Sequence, residues 1–139
     1  INNYMWIYEN KLYDEAPKKY MGFVYLITDL TTNRKYIGKK LFWNTRKLKP
    51  LKGKTRRRTQ VVESNWKNYY GSNEELQQLV ENSHAQRFER EILHLCTKKG
   101  IMSYLEAREQ FDRNVLLSDE YYNNFIGCKI HGKHVAGLK

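Results

Sequence analysis

The sequence predicts an α+β fold: a small antiparallel three-stranded sheet flanked by helices, with an N-terminal extension. Three observations carry that expectation. Two β-rich runs meet at a tight polar turn between residues 22 and 38, Ser-x-x-Glu signals at Ser72 and Ser103 each open a helix, and a third β-rich run lies between those helices. The 139 residues suit one domain, and 40% hydrophobic with 29% charged residues makes the chain globular rather than disordered.

The elements follow in order. Residues 1–20 alternate aromatics (Tyr4, Trp6, Tyr8), which suits a strand in an N-terminal arm or short hairpin packed on the body. The chain opens on Ile1 rather than Met, as expected of a piece of something longer. Phe23-Val24-Tyr25-Leu26-Ile27 is a β-rich run, residues 29–33 form a polar turn, and Lys35-Tyr36-Ile37-Gly38 is its partner strand. A helix or loop is expected from Lys40, leading into a mobile basic insertion, 47–60, that contains Pro50 and Gly53. Ser72-Asn73-Glu74-Glu75 reads as a capping box for a helix through about Val80. Residues 88–96 read as a strand ended by Gly100, and Ser103 to Glu106 as a second capping box for a helix to about Arg113. These elements place a domain at 21–126 and a tail at 127–139.

Charge is the first functional clue. The formal net charge is +10. Residues 39–58 alone hold Lys39, Lys40, Arg46, Lys47, Lys49, Lys52, Lys54, Arg56, Arg57 and Arg58, with no acid. So concentrated a cationic run is a footprint for nucleic acid phosphates. It lacks the apolar face of a membrane-surface helix, and no apolar run approaches a membrane span. No secretory signal is visible, and Cys96 and Cys128 make neither a disulfide framework nor a thiol metal site, so an intracellular, reduced protein is expected.

Common hydrolase and nucleotide-binding motifs are absent. What remains is phenols, one arginine and one carboxylate beside a basic surface. Tyr25 and Tyr36 lie on the two paired strands and can share a face; they serve equally well as ordinary sheet residues. A phenol is idle at neutral pH unless neighbouring positive charge favours its ionised form, in which case it can orient or deprotonate water. Arg46 offers a planar fork for phosphate, whether catalytic or nonspecific. Glu106 can hold Mg²⁺, which takes one or two carboxylates and keeps several waters, or can act as the capping-box partner of Ser103.

Together these residues resemble the GIY-YIG nuclease family, in particular its phage SegE-like homing endonuclease group. Phe23-Val24-Tyr25 stands for the first motif and Tyr36-Ile37-Gly38 for the second, with ten residues between them. Arg46 resembles the family's arginine, Tyr69-Tyr70-Gly71-Ser72 its lead into the next helix, Glu106 its metal-binding glutamate, and Asn123 or Asn124 its late asparagine. The likeness covers about residues 21–126. The first motif departs from Gly-Ile-Tyr, and Pro50 stands four past Arg46, where many members carry a proton acceptor. The resemblance implies a DNA endonuclease using one Mg²⁺ or Mn²⁺ per active site, held by Glu106. It implies that Tyr25 activates water with support from Tyr36, and that Arg46 clamps the scissile phosphate. Lys35, Lys39 and Lys40 flank the second motif, and one of them, Lys35 first, is a candidate for lowering the Tyr25 pKa, although strand alternation turns Lys35 away from Tyr36's face. Lys39, Lys40, the 47–58 cations and Asn123 or Asn124 would contact DNA. Cutting both strands would need a homodimer or a second pass. The alternative is an inactive nucleic-acid-binding accessory protein with the same fold, and a host cytoplasmic location follows if the chain is phage-encoded.

Overall fold

The computed structural model describes residues 4–139; residues 1–3 of the N-terminal arm lie outside the described residues. The strands are β1 (Trp6–Tyr8), β2 (Lys11–Tyr13), β3 (Gly22–Asp29), β4 (Lys35–Leu41), β5 (Trp43–Leu48), β6 (Arg58–Glu63) and β7 (Phe88–Cys96). The α-helices are α1 (Glu74–Glu81) and α2 (Lys99–Asp112).

The central sheet has five strands in the order β2-β1-β7-β3-β4, not the three expected. It is mixed rather than purely antiparallel, because β1 runs parallel to β7, pairing Ile7 with Glu91. The N-terminal hairpin therefore extends the sheet. Its two-residue turn places Glu9 and Asn10 at φ 49° and 66°, the conformation that matches strand twist in a tight hairpin.

β3 is covered on both faces, which explains its uninterrupted apolar run. On one face Phe23, Tyr25 and Ile27 pack with Trp6, Phe42, Trp66, Leu76 and Phe88. On the other Val24 joins Ile37, Cys96, Ile101, Met102 and Val115 beneath α2. Between Val24 and Tyr25 the β3–β7 register shifts, so that Val24 faces His94 and Tyr25 faces Ile92. This bulge sits beside the first motif tyrosine.

Two helix starts differ from the capping signals. α1 is capped by Asn73, whose side chain accepts from Leu76 N at 2.9 Å. Ser72 is left to pair with Tyr36. α2 begins at Lys99, so Gly100 lies in its first turn, Ser103 in its second, and Glu106 is not a capping residue. Past Lys40, where a helix or loop is expected, β4 runs on to Leu41 and β5 follows at Trp43. The basic insertion is ordered too. β5 and β6 form a separate two-stranded ribbon with Arg46 opposite Gln60 and a tip at 49–57. Trp43 anchors its base by donating to Pro17 O at 3.1 Å.

β4 is the sheet's outer strand, and a C-terminal segment closes it. Lys35 N donates to Glu120 O and Tyr122 N to Lys35 O, at 2.8 and 2.7 Å. Below this seam lies fully buried Asp29. Arg87 binds it bidentately at 2.8 and 2.7 Å, and Tyr122 Oη donates to it at 2.7 Å. Burial alone would raise the Asp29 pKa, but these bonds, one from Thr31 N and the Arg87 charge hold it well below the ordinary 3.8.

Removing Arg87 strands a buried charge. Arg87→Ala should cost about 3–5 kcal/mol in urea unfolding at neutral pH. Because the folded pKa is depressed, Asp29's contribution is complete above 3.8 and fades as pH falls below it. The deficit of the variant should therefore shrink in acid; a deficit equal at pH 7 and in strong acid would contradict this.

Candidate active site

The site forms where β3, β4, the segment before α1 and α2 meet. Tyr25 pairs with Gly38 and Ile27 with Tyr36, so alternation turns Tyr25, Tyr36, Gly38 and Lys40 to one face of the sheet. The Tyr25 and Tyr36 rings lie 6.2 Å apart. Glycine at position 38 is required sterically, since a Cβ there would overlap the Tyr25 phenol oxygen. Gly71 has φ +92° and lies against Tyr36, where a Cβ would approach Cε2 to 3.0 Å. Tyr36 Oη lies 3.3 Å from Ser72 Oγ, and the Tyr69 ring packs edge-on to Tyr25 at 6.1 Å.

Glu106 reaches this group from α2. Its side chain is 14% exposed, and neither carboxylate oxygen accepts a hydrogen bond from a described residue. Among the described residues its one ion pair is with Lys39 Nζ at 3.9 Å, and Lys39 also donates to Ser103 Oγ at 2.8 Å. Burial pushes the Glu106 pKa up, and the Lys39 charge only partly opposes this. The carboxylate is close enough to the phenols for its charge to raise both.

In the chain by itself, burial dominates the phenols. Burial, then the charges of Tyr36, Tyr69 and Glu106, push Tyr25 well above the usual 10. Tyr36 is also raised, by burial first, although Ser72 works against the shift. Lys35 does nothing to reverse this. It faces Thr28 across the hairpin, on the side away from Tyr25, and its ammonium donates to Asn33 O at 3.2 Å in the turn.

Tyr25 and Tyr36 thus share a face, Glu106 lies near enough for its charge to act on both, and it pairs with Lys39, one of the lysines flanking the second motif. Arg46 stands apart, exposed on the β5–β6 ribbon. Lys47, Lys49, Lys52, Lys54, Arg56, Arg57 and Arg58 lie on the same ribbon and its tip, all of them exposed. Lys40 lies over the Tyr69 ring at 4.0 Å. Asn123 is buried and spent: its Oδ1 accepts from Ile37 N at 3.0 Å and its Nδ2 donates to Ile37 O at 2.8 Å. Burial and these two bonds turn it away from the surface, whereas Asn124 is exposed.

Arg90 gives no signal in the sequence because, between Glu89 and Glu91, it reads as an ordinary charged strand residue. Its buried guanidinium donates to the carbonyls of Lys67 and Tyr69 and stacks on Tyr70, fixing the segment that carries Tyr69 and Gly71. Ser103 has the sequence signature of a cap, and nothing in that signature points to its bond with Lys39.

The donor set suits a hydrated divalent cation. Among the described residues no group of three or more His, Cys, Asp or Glu can cage an ion. One desolvated, scarcely partnered carboxylate is the kind of anchor that Mg²⁺ uses while keeping its waters.

A family model described as "Putative endonuclease segE, GIY-YIG domain" matches residues 6–126. No curated protein and no solved structure matches the chain.

A buried charge at Glu106 costs stability. Its raised folded pKa means no cost below the ordinary 4.5 and an increasing one as pH rises through the folded value. Glu106→Gln should therefore melt higher than wild type at neutral pH, with the gap closing below pH 4.5. A lower melting temperature at neutral pH would contradict the desolvated-carboxylate reading.

Proposed function

The chain belongs to the GIY-YIG endonuclease family, and from that premise we propose a divalent-metal-dependent DNA endonuclease of the phage homing type. The observation supporting it is a pair of phenols on one face with a mostly buried, nearly unpartnered carboxylate close enough for its charge to act on both. A protein that only binds nucleic acid gains nothing from a destabilising Glu106, which weighs against the inactive accessory reading. Among the described residues, no helix is long and apolar enough to cross a membrane. A reducing, intracellular setting is part of this reading.

In this reading Glu106 holds Mg²⁺ or Mn²⁺, which when bound would polarise the phosphate and stabilise the leaving oxygen. Tyr25 orients the attacking water through its phenol oxygen. Water oxygen bonds to phosphorus as one ester P–O bond breaks; the water's proton passes to solvent, and the leaving oxygen takes up a proton from solvent. Burial keeps Tyr25 protonated, so its service as proton acceptor depends on positive charge reaching the site. Tyr36, tied to Ser72, fixes the second wall. Lys39 balances the Glu106 charge. Arg46 clamps the scissile phosphate once the ribbon is seated on DNA. One such site cuts one strand, so a double-strand break takes a second copy or a second pass.

Plasmid nicking in Mg²⁺ or Mn²⁺ should fall by about 100-fold or more in Tyr25→Phe and Glu106→Ala, with DNA binding retained. Equal nicking by Glu106→Ala and wild type would remove Glu106 from the chemistry. Inactivity of both, with binding intact, would favour the accessory protein.

Cations at the ribbon tip should act on all sequences alike. Neutralising Lys52, Lys54, Arg56 and Arg57 together should weaken duplex binding and flatten the log–log salt slope by about 0.9 for each phosphate no longer neutralised. An unchanged slope would take the tip out of the interface.

A further inference from the structure

The β5–β6 ribbon is larger than a phosphate grip requires, and its residues are sorted. In an antiparallel pair, directly opposed residues share a face. One face therefore carries Asn44, Arg46 and Leu48 beside Val62, Gln60 and Arg58. Of these, Asn44, Arg46, Gln60 and Arg58 are exposed. Arg, Asn and Gln are the side chains that read guanine and adenine edges bidentately. The compact ammonium charges are mostly elsewhere: Lys49, Lys52 and Lys54 occupy the tip with Arg56 and Arg57. Among the described residues, none of these tip cations and neither arginine of the reading face is in an ion pair.

We propose that this ribbon lies in the major groove of duplex DNA and reads base edges through Asn44, Gln60 and Arg58, making it the chain's sequence-specificity element. Three features support B-form DNA as the occupant. A two-stranded ribbon fits the major groove, about 12 Å wide, whereas the deep, narrow major groove of RNA is closed to side chains. Residues 39–58 carry no acid to repel phosphates. Six-residue strands rise about 20 Å, enough to follow no more than about six base steps. Arg46 shares this face, so seating the readers in the groove also delivers the arginine assigned to the scissile phosphate. Recognition and cleavage are thereby coupled through one rigid pair of strands. The inference rests on the nuclease reading, but it concerns which sequence is bound rather than whether the bond is cut.

The test is selection of bound sites from a randomised duplex library by the full chain in EDTA, followed by competition binding. Wild type should enrich a short motif. The Asn44→Ala/Gln60→Ala variant should keep its fold and salt slope, yet lose about tenfold per side chain in preference for that motif over scrambled DNA. Neutralising Lys52 and Lys54 should weaken both DNAs equally. Duplex binding without any enriched motif, or an unchanged preference in the double variant, would overturn the ribbon's role while leaving the nuclease reading standing. Absence of duplex binding by wild type would overturn both.

Discussion

The backbone of one residue holds the site in register. Ile37 lies between Tyr36 and Gly38 on the outermost strand, and both its N–H and its C=O are taken by the amide of Asn123. Gln110 adds a second donor to the same carbonyl at 3.2 Å. An outer strand left open can slip or pair with another chain, and a one-residue slip would turn Tyr36 to the wrong face. With Ile37 clamped, Gly38 stays under the Tyr25 ring and Tyr36 stays against Gly71. Residues 120–123, far along the chain, thus complete the sheet where the phenols meet.

Two carboxylates show how the fold divides structural from chemical roles. Asp29 is wholly buried and surrounded by donors, and its charge is welcome. Glu106 is mostly buried with one cation at 3.9 Å and no hydrogen-bond donor among the described residues, and its charge is not. Proteins seldom keep such a group for packing; perturbed, poorly partnered acids cluster at functional sites. Its cost in stability is of the kind commonly set against activity.

The pairing of Tyr25 with Tyr36 is legible in the sequence because alternation and a short polar turn are local signals. So are the strand at 88–96 and the presence of both helices. The five-stranded sheet is not, since β1 pairs with a strand more than eighty residues away and nothing in a short aromatic segment names its partner. The ribbon is hidden for a different reason. Both of its faces are largely exposed, so it lacks the apolar alternation by which strands are recognised. Cap positions are displaced because Ser and Asn compete for the same role; Asn73 caps α1 and releases Ser72 to Tyr36. Glu106 is located by family likeness rather than by its neighbours. Its pairing with Lys39 depends on α2 packing against β4, which periodicity alone does not reveal.

Glu106, mostly buried and underpartnered, is proposed to hold a divalent cation beside the phenols. Electron paramagnetic resonance of Mn²⁺ titrated into the folded chain, without DNA, tests it most directly. Wild type should bind one ion per chain, and Glu106→Gln, equally folded, should lose that ion. Identical binding curves for the two proteins, or none for wild type, would contradict the account.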